Sequence, residues 1–287
     1  MNAQAVVPVL NRGEGPAAAA FAPDRWHECG DASAGTALML HSLGLDGRAF
    51  AALWRALPKG WRLISYDQLG HGAAAGATDF TFADCVADAL RALHLAPGPV
   101  HVLGHSMGGA VAACAAASAP GKVASLTLVA TPPAGMPVFV ERGQAALDGG
   151  MDAVVAPTLA RWFGPDGSAG NADAIAYARS ALHAMAPAGF AAAWRALASF
   201  GGYADLAAAL PPTLCVAGAL DLSTPPPALQ AICDALRAGQ GQPGAGEAAR
   251  VETIAGHGHM LPLTAPEALA RLLAAHWSRC GGNEAPR

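Results

Sequence analysis

The sequence predicts an α/β fold in which a mostly parallel, doubly wound sheet carries an inserted helical cap. Three observations lead there. From residue 36 onward, short β-rich runs alternate with alanine-rich helical stretches, the pattern of parallel strands joined by crossover helices. One long segment, 132–210, strings helical patterns together without a convincing strand. With 53% hydrophobic and 13% charged residues, the chain of 287 is far too apolar to stay disordered and can fill a large core.

In chain order, residues 1–35 form an N-terminal segment, read as a possible edge hairpin with a loose start. Strands are expected at 36–41, 61–66, 100–104, 123–130, 213–219 and 250–254, each ending near Gly, Pro, Asp or His. Helices are expected at 47–57, 82–94, 107–118, 226–238 and 266–279. The sheet-and-helix core therefore comprises 36–131 and 211–287, and 132–210 is the cap. An insertion that follows a strand of a parallel sheet lies above the strand ends, where open α/β sheets bind ligands, so the cap should roof the site. Segment 239–249, rich in Gly, Gln and Pro, reads as a surface loop.

Charge narrows the partners. With 17 basic and 21 acidic residues the net charge is −4, which leaves no broad basic surface for nucleic acid or anionic lipid. The six cysteines form no C-x-x-C pair and read as free thiols, which suits a reducing compartment. The apolar stretch Ala17 to Ala20 lacks the basic flank of a signal peptide and is too short to span a bilayer. A cytoplasmic protein with no membrane attachment is the expectation.

Chemistry concentrates in a few places. Gly104-His105-Ser106-Met107-Gly108 follows an apolar strand and opens a helix. A serine at so tight a turn is forced into strained backbone geometry and needs glycine on either side, and the turn thrusts its hydroxyl outward. The Met107 N–H then lies at the helix N-terminus, where negative charge would build on an attacked carbonyl. A neutral hydroxyl is a poor nucleophile at pH 7, so Ser106 needs a base. Two histidines follow the last strand, in Gly256-His257-Gly258-His259. His259 is preferred for the Gly258 before it, with His257 the alternative; the pair finds no third ligand spaced for a metal site. The base in turn needs a carboxylate to orient it, and Asp221, in the loop after the strand at 213–219, is the candidate. A second oxyanion donor is expected from the loop after the first strand, at the Leu43 N–H. His41 and His71 read as braces of their loops and His105 as a packed neighbour of Ser106.

With these residues in place, the chain from about 36 to 280 resembles the capped α/β-hydrolase superfamily, its motifs standing in the order nucleophile, acid, histidine. Within it the chain is most similar to the 3-oxoadipate enol-lactonase group, through His41-Ser42-Leu43-Gly44, Arg161-Trp162-Phe163 and Asp221-Leu222-Ser223-Thr224-Pro225-Pro226. It departs from that pattern at Leu69, where arginine is common. The resemblance implies a serine hydrolase that needs no cofactor and cleaves a small-molecule ester or lactone through an acyl-enzyme, 3-oxoadipate enol-lactone being one such substrate. That substrate carries a carboxylate, for which Arg161 or Arg195 would supply the cation, and Trp162 and Trp194 are candidates for the pocket wall. A carboxylesterase or carbon-carbon bond hydrolase on the same fold is one alternative. A receptor that only holds a ligand under the cap is the other.

Overall fold

The computed structural model describes residues 22–164, 170–239 and 249–280. Its first half runs β1 (Trp26–Cys29), β2 (Gly35–Leu40), α1 (Ala51–Ala56), β3 (Trp61–Tyr66), α2 (Phe82–Leu95), β4 (Val100–His105), α3 (Met107–Ser118) and β5 (Val123–Val129). Three helices follow, α4 (Pro137–Phe163), α5 (Ala172–His183) and α6 (Pro187–Ala198). The chain then returns through β6 (Thr213–Gly218), α7 (Pro226–Gly239), β7 (Ala249–Ile254), α8 (Leu261–Thr264) and α9 (Pro266–Cys280).

The strands make one seven-stranded sheet in the order β1-β3-β2-β4-β5-β6-β7, parallel throughout except for β1. Side chains alternate across it as the period of two requires. Along β2, Ala37 and Met39 enter the core built with Leu53 of α1 and Leu269, Leu273 and Trp277 of α9. Leu38 and Leu40 point the other way, into the core shared with α2, α3 and α7. The same division holds on β6, with Leu214 and Val216 on one face and Cys215 and Ala217 on the other. Burial of both faces explains why these strands read as unbroken apolar runs. Local signals set the helix starts: the Thr81 hydroxyl accepts the Asp84 N–H at 3.2 Å, while the Asp84 carboxylate accepts the Thr81 N–H at 2.8 Å, a reciprocal cap on α2.

Two expectations change. Residues 26–29 form an antiparallel edge strand, but with β3, Trp26 lying opposite Tyr66. A hairpin would have needed the flank of β2, and both flanks of β2 are taken by β3 and β4. The helix expected over 47–57 is a 3-10 turn, Gly47–Phe50, followed by α1. The remainder of the expected N-terminal segment, 1–21, and residues 240–248 of the expected surface loop lie outside the described residues.

Between β5 and β6 the described residues contain helices and no strand. Helix α4 is not one rod: Gly150, at φ 72° and ψ −178°, breaks it into two halves. The insertion's Phe139, Trp162, Phe190 and Trp194 join the same hydrophobic core as α2, α3 and α7, so it is packed down onto the sheet ends. Among the described residues no helix is long and apolar enough to cross a membrane.

Candidate active site

Ser106 stands between β4 and α3 with φ 55° and ψ −118°. Left-handed backbone costs an L-residue about 1–2 kcal/mol, so the surroundings must impose it. They do so by close packing. A Cβ at Gly104 would strike the Gly108 carbonyl, and one at Gly108 would strike the carbonyl of Leu40 on the neighbouring strand. Backbone bonds lock the turn, the Ser106 N–H donating to Val129 O at 2.8 Å and the Gly109 N–H to Ser106 O at 2.9 Å. The side chain emerges partly exposed at the carboxyl edge of the sheet.

Two further loops reach the same edge. His259 Nε2 lies 3.0 Å from Ser106 Oγ, and His259 Nδ1 lies 2.8 Å from Asp221 Oδ2. Residues 106, 221 and 259 thus meet in one line, with the histidine 2% and the aspartate 3% exposed. With Nδ1–H donated to Asp221, Nε2 is left to accept the serine proton. His257 is elsewhere, its ring 3.3 Å from Thr264 Oγ1.

The aspartate is held on every side. Oδ1 accepts the N–H groups of Ser223 (2.7 Å) and Thr224 (3.0 Å), and Oδ2 accepts the Thr224 hydroxyl at 2.7 Å besides the imidazole. Burial pushes this carboxyl upward, but the neighbouring imidazole and these donated bonds outweigh it and hold it below the usual carboxylate range. The histidine's own backbone is fixed at both ends. Its carbonyl accepts from His105 Nε2 at 2.9 Å, and its N–H donates to Trp162 O at 3.0 Å. His105 is fully buried and lies beside His259, which drops it to about 3, so it serves as a neutral donor.

The loop carrying Leu43 is knitted by two more neutral imidazoles. His41 Nε2 accepts the Gln68 N–H at 3.0 Å, and His71 Nε2 accepts the Gly44 N–H at 3.0 Å. Their other ring nitrogens donate to Ser42 O and Leu69 O. Burial lowers both, His71 to about 3. Leu43 lines the cleft beside Ser106. Met107 is the first residue of α3, so its N–H belongs to the helix's first turn and has no partner one turn back. Leu43 and Met107 therefore both stand beside the serine turn, one lining the cleft and the other following Ser106 in the chain.

The insertion closes this cleft from above with Phe139, Arg142, Arg161, Trp162 and Trp194. Trp162, 4% exposed, forms part of its wall. The space left is about 20 Å³, room for about one water. Arg195 is exposed and does not line the cleft, because α6 turns Trp194 inward and its neighbour outward. Arg142 takes that place beside Arg161. Sequence reading also missed Thr224 and the Trp162 carbonyl. Asp-x-Ser-Thr is a turn signal that would have flagged Thr224, whereas no local signal brings Arg142 to the site.

Comparisons with known proteins bear on the fold. Residues 37–172 match the family model described as the alpha/beta hydrolase fold. Over 96 residues the chain is 45% identical to the pimeloyl-[acyl-carrier protein] methyl ester esterase of Chromobacterium violaceum, which covers 33% of this chain and 37% of that one. Such matches span about a third of the length of the curated relatives. Two solved structures extend over nearly the whole chain. The enol-lactonase from Burkholderia xenovorans LB400 superposes with a TM-score of 0.77 at 23% identity, covering 88% of this chain and 96% of its own. A hydrolase from Pseudomonas aeruginosa PA01 superposes at 0.75 with 26% identity, covering 88% and 92%. A parallel sheet that ends in this serine turn, with an acid loop and a histidine loop beside it, is the arrangement of the α/β-hydrolase fold, and that is the fold of this chain.

Proposed function

We propose that the protein hydrolyses a small carboxylic ester or lactone through an acyl-enzyme on Ser106. The observation that carries this is the continuous line from Ser106 Oγ through His259 to Asp221, at 3.0 and 2.8 Å. In the first half-reaction Ser106 Oγ bonds to the substrate's carbonyl carbon while His259 Nε2 takes the hydroxyl proton, and Asp221 stabilises the imidazolium. The Leu43 and Met107 N–H groups hold the tetrahedral oxyanion, each such donor contributing about 2.7–4 kcal/mol in the transition state. The intermediate collapses as the C–O bond to the leaving group breaks and His259 returns its proton to that oxygen. Water, deprotonated by the same imidazole, then attacks the acyl-enzyme and releases the acid and Ser106. No step calls for a cofactor.

An enol-lactone such as that of 3-oxoadipate fits this scheme: its leaving enol stays tethered to the acyl chain and relaxes to a ketone, which makes ring opening one-way. The cysteines support work in a reducing compartment such as the cytoplasm, none of them being in a disulfide. In the insertion, 132–210 would act as a cap over the site, the part of the chain that selects the substrate. The test is covalent and does not need the substrate. A fluorophosphonate probe is expected to label the native protein at Ser106, read by peptide mass spectrometry, and a panel of esters and lactones to be turned over. No label at Ser106 together with no turnover would favour the receptor reading.

A further inference from the structure

Helix α5 of the insertion touches the loop that follows β2 and carries Leu43. Its Tyr177 hydroxyl donates to Asp46 Oδ1 at 2.9 Å, across 131 positions of chain, and the Asp46 nitrogen lies 3.4 Å from the same oxygen. Asp46 is 3% exposed. The other side chain bonded to its carboxylate among the described residues is Arg48, whose Nη2 lies 2.6 Å from Oδ2. Arg48 stands two positions further along the same loop and travels with it, whereas Tyr177 ties the carboxylate to a different part of the fold. Burial pushes the Tyr177 phenol up and the Asp46 charge pushes it further, so it stays a donor at neutral pH. Burial also pushes the Asp46 carboxyl up, but the bond from Arg48 leads several effects that outweigh this and hold it below the usual carboxylate range.

A second, independent observation is steric. At Gly44, with φ 84°, an added Cβ would lie 2.7 Å from Leu182 Cδ2 and 2.8 Å from Trp162 Cη2, both side chains of the insertion. The core grips the same loop, the Gly44 N–H donating to His71 Nε2 at 3.0 Å and the Gly47 N–H to Asp67 Oδ1 at 2.8 Å. The Leu45 N–H donates to Ser42 O at 3.1 Å, while no partner for the Leu43 N–H is found among the described residues. An open donor thus sits in a segment clamped between core and insertion. A donor that must meet charge on a substrate oxygen gains from such clamping, since about 1 Å of misplacement can cost about a hundredfold in rate.

We infer that Tyr177 is a positioning residue: through Asp46 it pins the 42–47 loop to the insertion and so sets the Leu43 N–H for the proposed hydrolysis. Its part in a reaction rests on that proposal; its hold on the loop does not. Tyr177 does not line the cleft. It acts through a donor used once the carbonyl carbon becomes tetrahedral, so its loss belongs in kcat rather than in KM.

Tyr177→Phe removes the hydroxyl and keeps the ring, and each variant is first checked for a native melting transition. On phenyl butyrate, kcat is expected to fall about tenfold, the worth of one hydrogen bond to a charged group, with KM within about twofold of native. In an Asp46→Asn background the same change should add little. A pair of ketones gives a result that a merely structural tyrosine would not. Trifluoromethyl butyl ketone bonds through its carbonyl carbon to Ser106 Oγ, His259 takes the serine proton, and the carbonyl electron pair moves onto oxygen as a stable oxyanion. Methyl butyl ketone fills the same space without that bond. Tyr177→Phe should bind the fluorinated ketone about tenfold more weakly and the methyl ketone as well as the native protein does. Equal weakening of both, or an unchanged kcat in a protein that cleaves the ester, overturns the inference. Amide hydrogen exchange of peptides covering 42–48, read by mass spectrometry, separates it from the hydrolase reading, with exchange in Tyr177→Phe expected to be about tenfold faster. Unchanged exchange overturns the inference whether or not esters are cleaved. Faster exchange, with neither turnover nor ketone adduct in the native protein, keeps the hold on the loop and ends the hydrolase reading.

Discussion

The floor and the roof of the cleft are built on opposite terms. On the floor, strand ends carry Ser106, Asp221 and His259, and the groups that orient them are spoken for: four donors on the Asp221 carboxylate, and backbone partners at both ends of His259. In the roof, on α4 and α6, charged and polar groups face the cleft with bonds left open. A relay that must transfer a proton along one line needs its atoms fixed in advance. A surface that must recognise something gains from groups whose best partner arrives with the substrate. On the proposed function, chemistry would fall to the sheet and selection to the helices.

The largest effect expected from that division is on Ser106. Ser106→Ala should lower kcat by about four to six powers of ten, measured on whichever panel ester is best, with an unchanged circular dichroism spectrum. Ser106→Gly should be equally inactive yet melt higher than the alanine variant, by the equivalent of about 1 kcal/mol, because φ 55° strains any residue that has a Cβ. Equal melting of the two would mean that the turn is relaxed, and that the floor is less rigidly imposed than its geometry indicates.

A smaller effect sharpens the comparison on the acid side. Thr224→Val removes the hydroxyl donated to Asp221 Oδ2 while keeping the shape of the side chain. We expect kcat to fall about tenfold, the worth of one hydrogen bond to a charged group, with KM little changed. A change confined to KM would place Thr224 in recognition and blur the line between floor and roof.

Acid should also act on the sheet side first. Burial lowers His71 and His105 to about 3 and His101 and His276 to about 4, against an ordinary value near 6.5. Below about pH 6.5 the unfolded chain takes up protons that the folded chain refuses, so each contributes stability that is complete above that pH and is lost as pH falls toward the folded value. The slope approaches about 1.4 kcal/mol per histidine per pH unit. Melting temperature is therefore expected to drop progressively from pH 7 to pH 4.5. His27, raised by its bond to Asp67, works in the opposite direction at the sheet edge, holding its contribution below pH 6.5 and losing it as pH rises. A flat profile across this window would show that the buried imidazoles are reached by water.

The same contrast governs what could be read in advance. Strands such as Val100–His105 and Thr213–Gly218 are largely apolar runs with Gly at or near their ends, so local pattern alone located the sheet and the loops bearing 106, 221 and 259. The short edge strand at 26–29 was only a vague suggestion, since four residues with one face half exposed carry little periodicity. The roof resisted more strongly. Arg142 and Arg161 are nineteen positions apart on what reads as one helical stretch, and only the break at Gly150 folds them onto a common space. Arg195 carries the same chemistry in the sequence and ends in solvent, a choice made by how α6 packs rather than by any neighbouring residue.

One bond joins the two halves at the relay histidine, whose N–H ends on the carbonyl of Trp162 in the roof. Lifting the helices away would strand a buried donor beside the imidazole, at a cost of about 1–3 kcal/mol. Admission of a substrate by swinging side chains spares that bond, whereas wholesale hinging breaks it and loosens the imidazole as it does so. Under the proposed hydrolysis, the imidazole would be best held with the Trp162 carbonyl in place, which would tie bond cleavage to the enclosure of the substrate.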